Sequence, residues 1–367
     1  MKKSILSELQ NNDSADEELL MARFFVFVFT LLLFAPLPVS AAAPSPLRLH
    51  AWVDYFPAWL HEEFTRETGI PIVQSFFADN AALHRSIVQD GPLIHYDVVT
   101  PSCEMVQQLV AEKLLLKLER SKLPNFKDID PLFSTPAYDP GHEYSVPLVW
   151  GVLGIAIDRR VVPAGVAARI KGYKDLWMAE LKGKLLLPYD FRSLMSIMLL
   201  TLGYSVNDVQ YEHLEEALAR LETLAPSVRT FDTVDQMEYM GKPSIGVGVV
   251  WGRKTYAIEK DRYTFVFPEE GSPVWVDALA VPKSASNPEA AFAFINFVMR
   301  PDVLARLGEE AGYAVAGKEA QALTSRDLRD NPVVYPSLEL RRRFEIELML
   351  PDVDDLVKRW NKIREGQ

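Results

Sequence analysis

The sequence predicts an α/β protein of two lobes, each a mainly parallel sheet flanked by helices, with a ligand cleft between them. Three observations predict it. Short apolar runs alternate with amphipathic helical segments, the 367 residues exceed what one core of about 100–200 residues needs, and no Gly-, Ser- or Pro-rich linker interrupts the chain. Leu47 to Val53 is a strand-like apolar run, and Pro57 to Thr68 a helix that Gly69 stops. Pro71 to Phe77 reads as a second strand, Ala81 to Val88 as a helix capped by Asn80, Tyr96 to Val99 as a strand and Glu104 to Lys113 as a helix. The rhythm restarts after Gly151 with strands over 152–157 and 184–187, helices over 193–202 and 212–224, and strands over 245–251 and 274–281. Asn287-Pro288 then opens a helix, with Asn as cap and Pro at the first helical position. The expected division is a leader over 1–41, a first lobe of 44–150 plus 278–320, and a second of 151–277 plus 321–367.

Composition narrows the partners. The chain is 49% hydrophobic and 24% charged, which is globular rather than disordered. Its 50 acidic against 39 basic residues, net −11, argue against nucleic acid or an anionic membrane surface as partner. One cysteine, Cys103, excludes a disulfide framework and any multi-cysteine metal site. From Met21 the chain reads as a secretory signal: Arg23, the apolar run Phe24 to Phe34, then Val39-Ser40-Ala41 as a small-x-small cleavage site. The apolar run stops at Pro36, short of the roughly 20 residues a membrane span needs. Cleavage after Ala41 would leave 326 residues at net −9, because the leader holds three basic and five acidic residues. No cysteine follows the cleavage site to carry a lipid, and the acidic residues before Met21 suggest that translation starts there. The expected product is a monomeric periplasmic protein.

The candidate chemistry is recognition. Trp52-Val53-Asp54 and Trp275-Val276-Asp277 each place an aromatic ring and a carboxylate two residues apart, on one face of a strand. Trp251 ends a third apolar strand, and Tyr55-Phe56 follow Asp54 directly. Rings take cation–π and methylene contacts while carboxylates take charge-assisted hydrogen bonds, so together they suit a cationic ligand with a hydrocarbon body. One such pair alone reads more readily as a core Trp beside a turn-capping Asp; two pairs with Trp251 leave both readings open. Signs of catalysis are weak. The six His are scattered, His61-Glu62-Glu63 lacks the second His of a zinc-protease helix, and there is neither a G-x-S-x-G elbow nor a P-loop. Gly246-Val247-Gly248 lies inside a strand, where close packing explains it, and Cys103 reads as a small buried hydrophobe. No enzyme, metal or cofactor is expected.

The segments LHAWVDYFP, YDVVTPS, KLERSKLPNFKDIDP, YSVPLVWGVLGIAID, GVVWGRK, VWVDALAVP and FINFVMRPDV resemble the periplasmic spermidine/putrescine-binding proteins of polyamine ABC transporters, from about Leu47 to Gly366. The resemblance implies a type II periplasmic binding fold that closes around a polyamine and delivers it to an inner-membrane ABC permease. The alternative is a polyamine sensor of the same fold that signals to a membrane regulatory protein. The ligand residues it implies are Trp52, Asp54 and Tyr55 of the first strand's motif, Ser102 after the third strand, Asp190, Trp251, Trp275 with Asp277, and Tyr313. Departures touch the site. Glu104 stands where spermidine-type proteins have a Tyr, Ser193 where a clamping carboxylate is usual, and a late polar residue falls near Glu345. Arg253 and Lys254 follow Trp251, where some putrescine-type relatives carry an acid, and read either as solvated loop charges or as cations entering the cleft, where they would oppose a cationic ligand.

Overall fold

Parallel pairing builds the flanks of the molecule and antiparallel pairing builds its middle. The computed structural model describes residues 44–53, 55–127, 129–233, 235–253, 259, 261–351 and 353–365. The expected leader, Asp54 and Lys254 lie outside the described residues. In the first flank, β1 (Leu47–Trp52) pairs in parallel with β2 (Ile72–Phe77) and with β3 (Val98–Val99). In the second, β5 (Leu185–Leu187) pairs in parallel with β6 (Val228–Phe231) and β7 (Val247–Trp251). Between them run β4 (Ser145–Asp158) and β9 (Ser272–Ala280), antiparallel to each other. The order is β2-β1-β3-β9-β4-β7-β5-β6, with β8 (Tyr263–Val266) and β10 (Ala314–Val315) on β4, and β11 (Phe344–Ile346) on β9.

β4 joins the flanks. Residues 145–152 pair with β9, whereas residues 153–158 pair with β7 and β8. The strand does not restart at Gly151 but runs unbroken through it, and all fourteen of its residues are buried. A strand covered on both faces loses its alternation and reads as one apolar run. Each flank has its own core. Leu47, Leu49, Phe64, Phe294 and Leu304 fill the first, where Phe64 and Phe294 meet edge-on at 5.4 Å. Ile155, Leu185, Leu194, Leu218 and Trp360 fill the second. Trp251 packs against both.

Helix ends follow local chemistry. Helix α1 (Ala58–Thr68) stops at Gly69, whose φ of 73° is left-handed. Helix α2 (Asn80–Arg85) starts one residue earlier than the sequence suggests, because Asp79 is the cap and accepts from Ala82 N at 2.7 Å. It ends at Arg85 and passes into a π turn over Ser86–Asp90. Helix α3 (Cys103–Ala111) leaves β3, and α4 (Phe191–Leu202) is capped by Asp190. Asn287 caps α5 (Pro288–Val298) as expected, accepting from Ala290 N at 3.1 Å. No described helix is long and apolar enough to cross a membrane.

Candidate ligand-binding site

β9 is the spine of the site. Its alternation turns Val274, Val276 and Ala278 into one core cluster and leaves Trp275 and Asp277 on the opposite face. The Trp275 indole lies directly on the backbone of Gly151, its partner in register: a Cβ at Gly151 would sit 2.8 Å from the indole nitrogen. Trp251 crosses Trp275 edge-on with ring centres 6.0 Å apart, and Tyr313, just after helix α6 (Pro301–Ala311), meets it edge-on at 5.0 Å. On the other side Trp52, at the end of β1, packs against Phe77 at 4.5 Å.

The acids gather along this wall. The Tyr55 hydroxyl donates to Asp277, and Ser102 bridges the same residue through the backbone. Asp277 is 5% exposed. Its carboxyl is pushed up to about 8 by burial, eased by the Tyr55 hydrogen bond and raised further by the charge of Glu104. The indole N–H of Trp52 makes no hydrogen bond of good geometry, yet it lies near enough to hold that carboxyl down slightly. Ser102 donates to Glu104 at 3.0 Å, and Asn80 donates to both Ser102 and, at 2.6 Å, Glu104. Burial raises the Glu104 carboxyl, and the charge of Asp190 adds to that.

The second flank supplies Asp190, Ser193 and Arg192 from the start of α4. Asp190 accepts from Ser193 N at 2.8 Å, so it caps the helix while its charge reaches Glu104 and Glu347. Ser193 is buried and contributes no charge; its effect on the site runs through Asp190. Of the late acids, Glu345 accepts from Ser205, whereas Glu347 is coupled to the other acids. Glu347 is 3% exposed, accepts from Ser196 at 2.6 Å, and lies 3.8 Å from Arg192. Burial pushes its carboxyl up to about 7; Arg192 opposes that, and Glu104 and Asp190 reinforce it. Arg192 also staples the chain end to α4 through Leu348 O at 2.7 Å and Asn207 at 2.7 Å. Arg253 is no free loop charge: its guanidinium lies 4.7 Å over the Tyr313 ring, with a hydrogen bond to Ala311 O at 3.3 Å.

Of the residues expected from sequence, Tyr55, Ser102, Glu104 and Asp277 meet in one set of direct contacts and Trp251, Trp275 and Tyr313 in another. Trp52 and Asp190 join through their effect on those carboxyls, and Ser193 joins through Asp190. Asn80, Arg192 and Glu347 were missed. The alternating apolar and acidic residues of Phe344-Glu345-Ile346-Glu347, after three arginines, were the available signal for the last. The Cys103 thiol is fully buried and 3.5 Å from Glu104, and burial first and that charge second raise it well above the usual thiol range, which rules out a thiolate nucleophile. Among the described residues no group of three or more His, Cys, Asp and Glu is placed to hold a metal ion.

Carboxylates and a wall of indole and phenol rings thus stand together where the two α/β flanks join. Residues 59–334 match the family described as bacterial extracellular solute-binding protein, and the chain belongs to it. That family consists of substrate-binding transport proteins, not enzymes. The spermidine/putrescine-binding periplasmic protein of Escherichia coli (strain K12) is 33% identical over 300 residues, covering 80% of this chain and 84% of that protein. The putrescine-binding periplasmic protein of the same organism is 27% identical over 356 residues, covering 89% and 93%. The solved spermidine/putrescine ABC transporter substrate-binding protein of Streptococcus pneumoniae superposes with a TM-score of 0.74 at 27% identity, covering 88% of this chain and 98% of that one.

Proposed function

We propose that this protein binds a polyamine of the spermidine, norspermidine or putrescine class in the periplasm and delivers it to an inner-membrane ABC permease. The observation that carries the reading is the convergence of Asp277, Glu104, Asp190 and Glu347 beside Trp251, Trp275, Tyr313, Tyr55 and Trp52, with Arg192 the cation coupled to three of those four acids. The names of the relatives point the same way. The lobes divide where β4 passes from β9 to β7, at about Gly151, and again in β9.

Aromatic faces strip water from the methylenes, and the acids pair with the ammonium groups. In the empty site burial raises the Asp277 and Glu347 carboxyls, and the charge of Glu104 raises both further. A polycation removes that repulsion only when acids from both flanks surround it, so it favours the closed arrangement. Closure then presents one shape to the permease. The protein acts as a monomer, exported by a signal peptide cleaved after Ala41, and Asp54 completes the first aromatic–acid pair.

The test is a thermal-shift panel on mature protein refolded free of carried-over ligand, with putrescine, spermidine, norspermidine, spermine, agmatine, thiamine and an aminoalkylphosphonate. A ligand at 100 times its Kd stabilises by about 2.7 kcal/mol, which moves the midpoint by several degrees. Shifts confined to polyamines support the reading. No shift with any polyamine refutes it.

A further inference from the structure

Asn80 occupies an unusual position for a residue at a helix start. Asp79 already caps α2, which leaves the Asn80 side chain to reach across to Ser102 and Glu104. The direction of these bonds fixes the amide. Ser102 gives its hydroxyl proton to Glu104, so only lone pairs remain to face Asn80, and the amide must present its NH2 group to both neighbours. Its oxygen, Oδ1, therefore points away from them. That oxygen is buried and has no hydrogen-bond partner among the described residues. Glu104 Oε2 takes the Cys103 thiol, a weak donor, at 3.5 Å, and the same carboxylate accepts from its own backbone N–H. Of two side chains in contact, one thus holds out an acceptor with no partner among the described residues, and the other carries charge. Buried acceptors are rarely left in that state. An amide or hydroxyl group would satisfy the acceptor but add no positive charge to that of Arg192 beside Glu104. An ammonium brings three donors and the opposite charge.

We infer that Asn80 is a ligand-contacting residue, whose amide oxygen accepts a hydrogen bond from a primary ammonium group of the ligand. The inference rests on the polyamine reading and adds a neutral acceptor to its acids. It also gives Glu104 a fixed partner: the NH2 group of Asn80 orients the carboxylate while the oxygen of the same amide points to the ligand. Without Asn80 an acid at 104 would lose the hydrogen bond that orients it.

Titration calorimetry with putrescine and spermidine on wild type, Asn80→Leu and Asn80→Ala, together with a crystal structure of wild type with the tighter-binding amine, tests this. The expected complex has a ligand nitrogen at about 3 Å from Asn80 Oδ1. Asn80→Leu is expected to weaken binding by about tenfold to a hundredfold, the range for a hydrogen bond to a charged group, and to lower the unliganded melting midpoint as Ser102 and Glu104 lose the donated bonds. Should the Leu variant fail to fold, Asn80→Ala and the wild-type complex carry the test. Unchanged affinity, or a complex with no ligand nitrogen within hydrogen-bond reach of Oδ1, overturns the assignment while leaving the polyamine reading intact. Wild type that binds neither amine overturns both, and that failure is visible before any variant is made.

Discussion

Replacing Asp277 by Asn should destroy the binding of cations and yet stabilise the ligand-free protein. Asp277 is 5% exposed, and its carboxyl is pushed from the ordinary 3.8 to about 8. At pH 7 the folded protein therefore holds a proton there that the unfolded chain has released. Between pH 7 and the ordinary value of 3.8 lie about three units. At 1.36 kcal/mol per unit, taking up that proton on folding costs about 4 kcal/mol. Because the folded value is the higher one, the stability is fully present below about pH 4 and is lost progressively as pH rises to about 8. Asn is neutral, has nearly the same shape, and can still accept from the Tyr55 hydroxyl. It carries no such cost. Urea unfolding of ligand-free wild type and Asp277→Asn at pH 5 and pH 8 measures the difference. The variant should gain on the order of 4 kcal/mol near neutral pH and lose most of the pH slope. Equal stability and equal slopes would refute the claim that this carboxyl is buried against its own charge.

Two further outcomes follow from the same geometry. Polyamine binding at pH 7 should release protons, since a neighbouring ammonium pulls down the carboxyls of Asp277, at about 8, and Glu347, at about 7. Calorimetry in buffers of different ionisation heat reads the number, and net proton uptake would contradict it. Gly151→Ala should weaken binding at least tenfold, because the added methyl would sit 2.8–2.9 Å from atoms of the Trp275 indole and push the ring away, with a change in tryptophan emission as the second readout. Unaltered affinity and emission would mean that the ring has room to move.

Local sequence determined a good deal here. Trp275 and Asp277 share a face because a strand alternates, and the chain itself makes 272–280 a strand. The caps at Asn287 and Asp190 and the stop at Gly69 are equally local, each a matter of one side chain or one permissive φ. Asp79 shows the limit of that logic: two capping residues stood side by side, and only the reach of Asn80 to Ser102 and Glu104 decided which of them would cap. The unbroken β4 was hidden for a different reason, because burial on both faces erases the pattern that would mark its extent. Arg253 looked like a loop charge until Tyr313, distant in sequence, offered it a ring. Glu347 illustrates the general case. Its neighbours in sequence explain nothing about it, while Arg192 and Ser196, about 150 residues earlier, and Glu104 set its charge and burial. Periodicity and caps act over a few residues and can be read from the chain. Which acids share one desolvated volume depends on where strands from opposite ends of the chain come to pair, and that is decided only when the two flanks fold against each other.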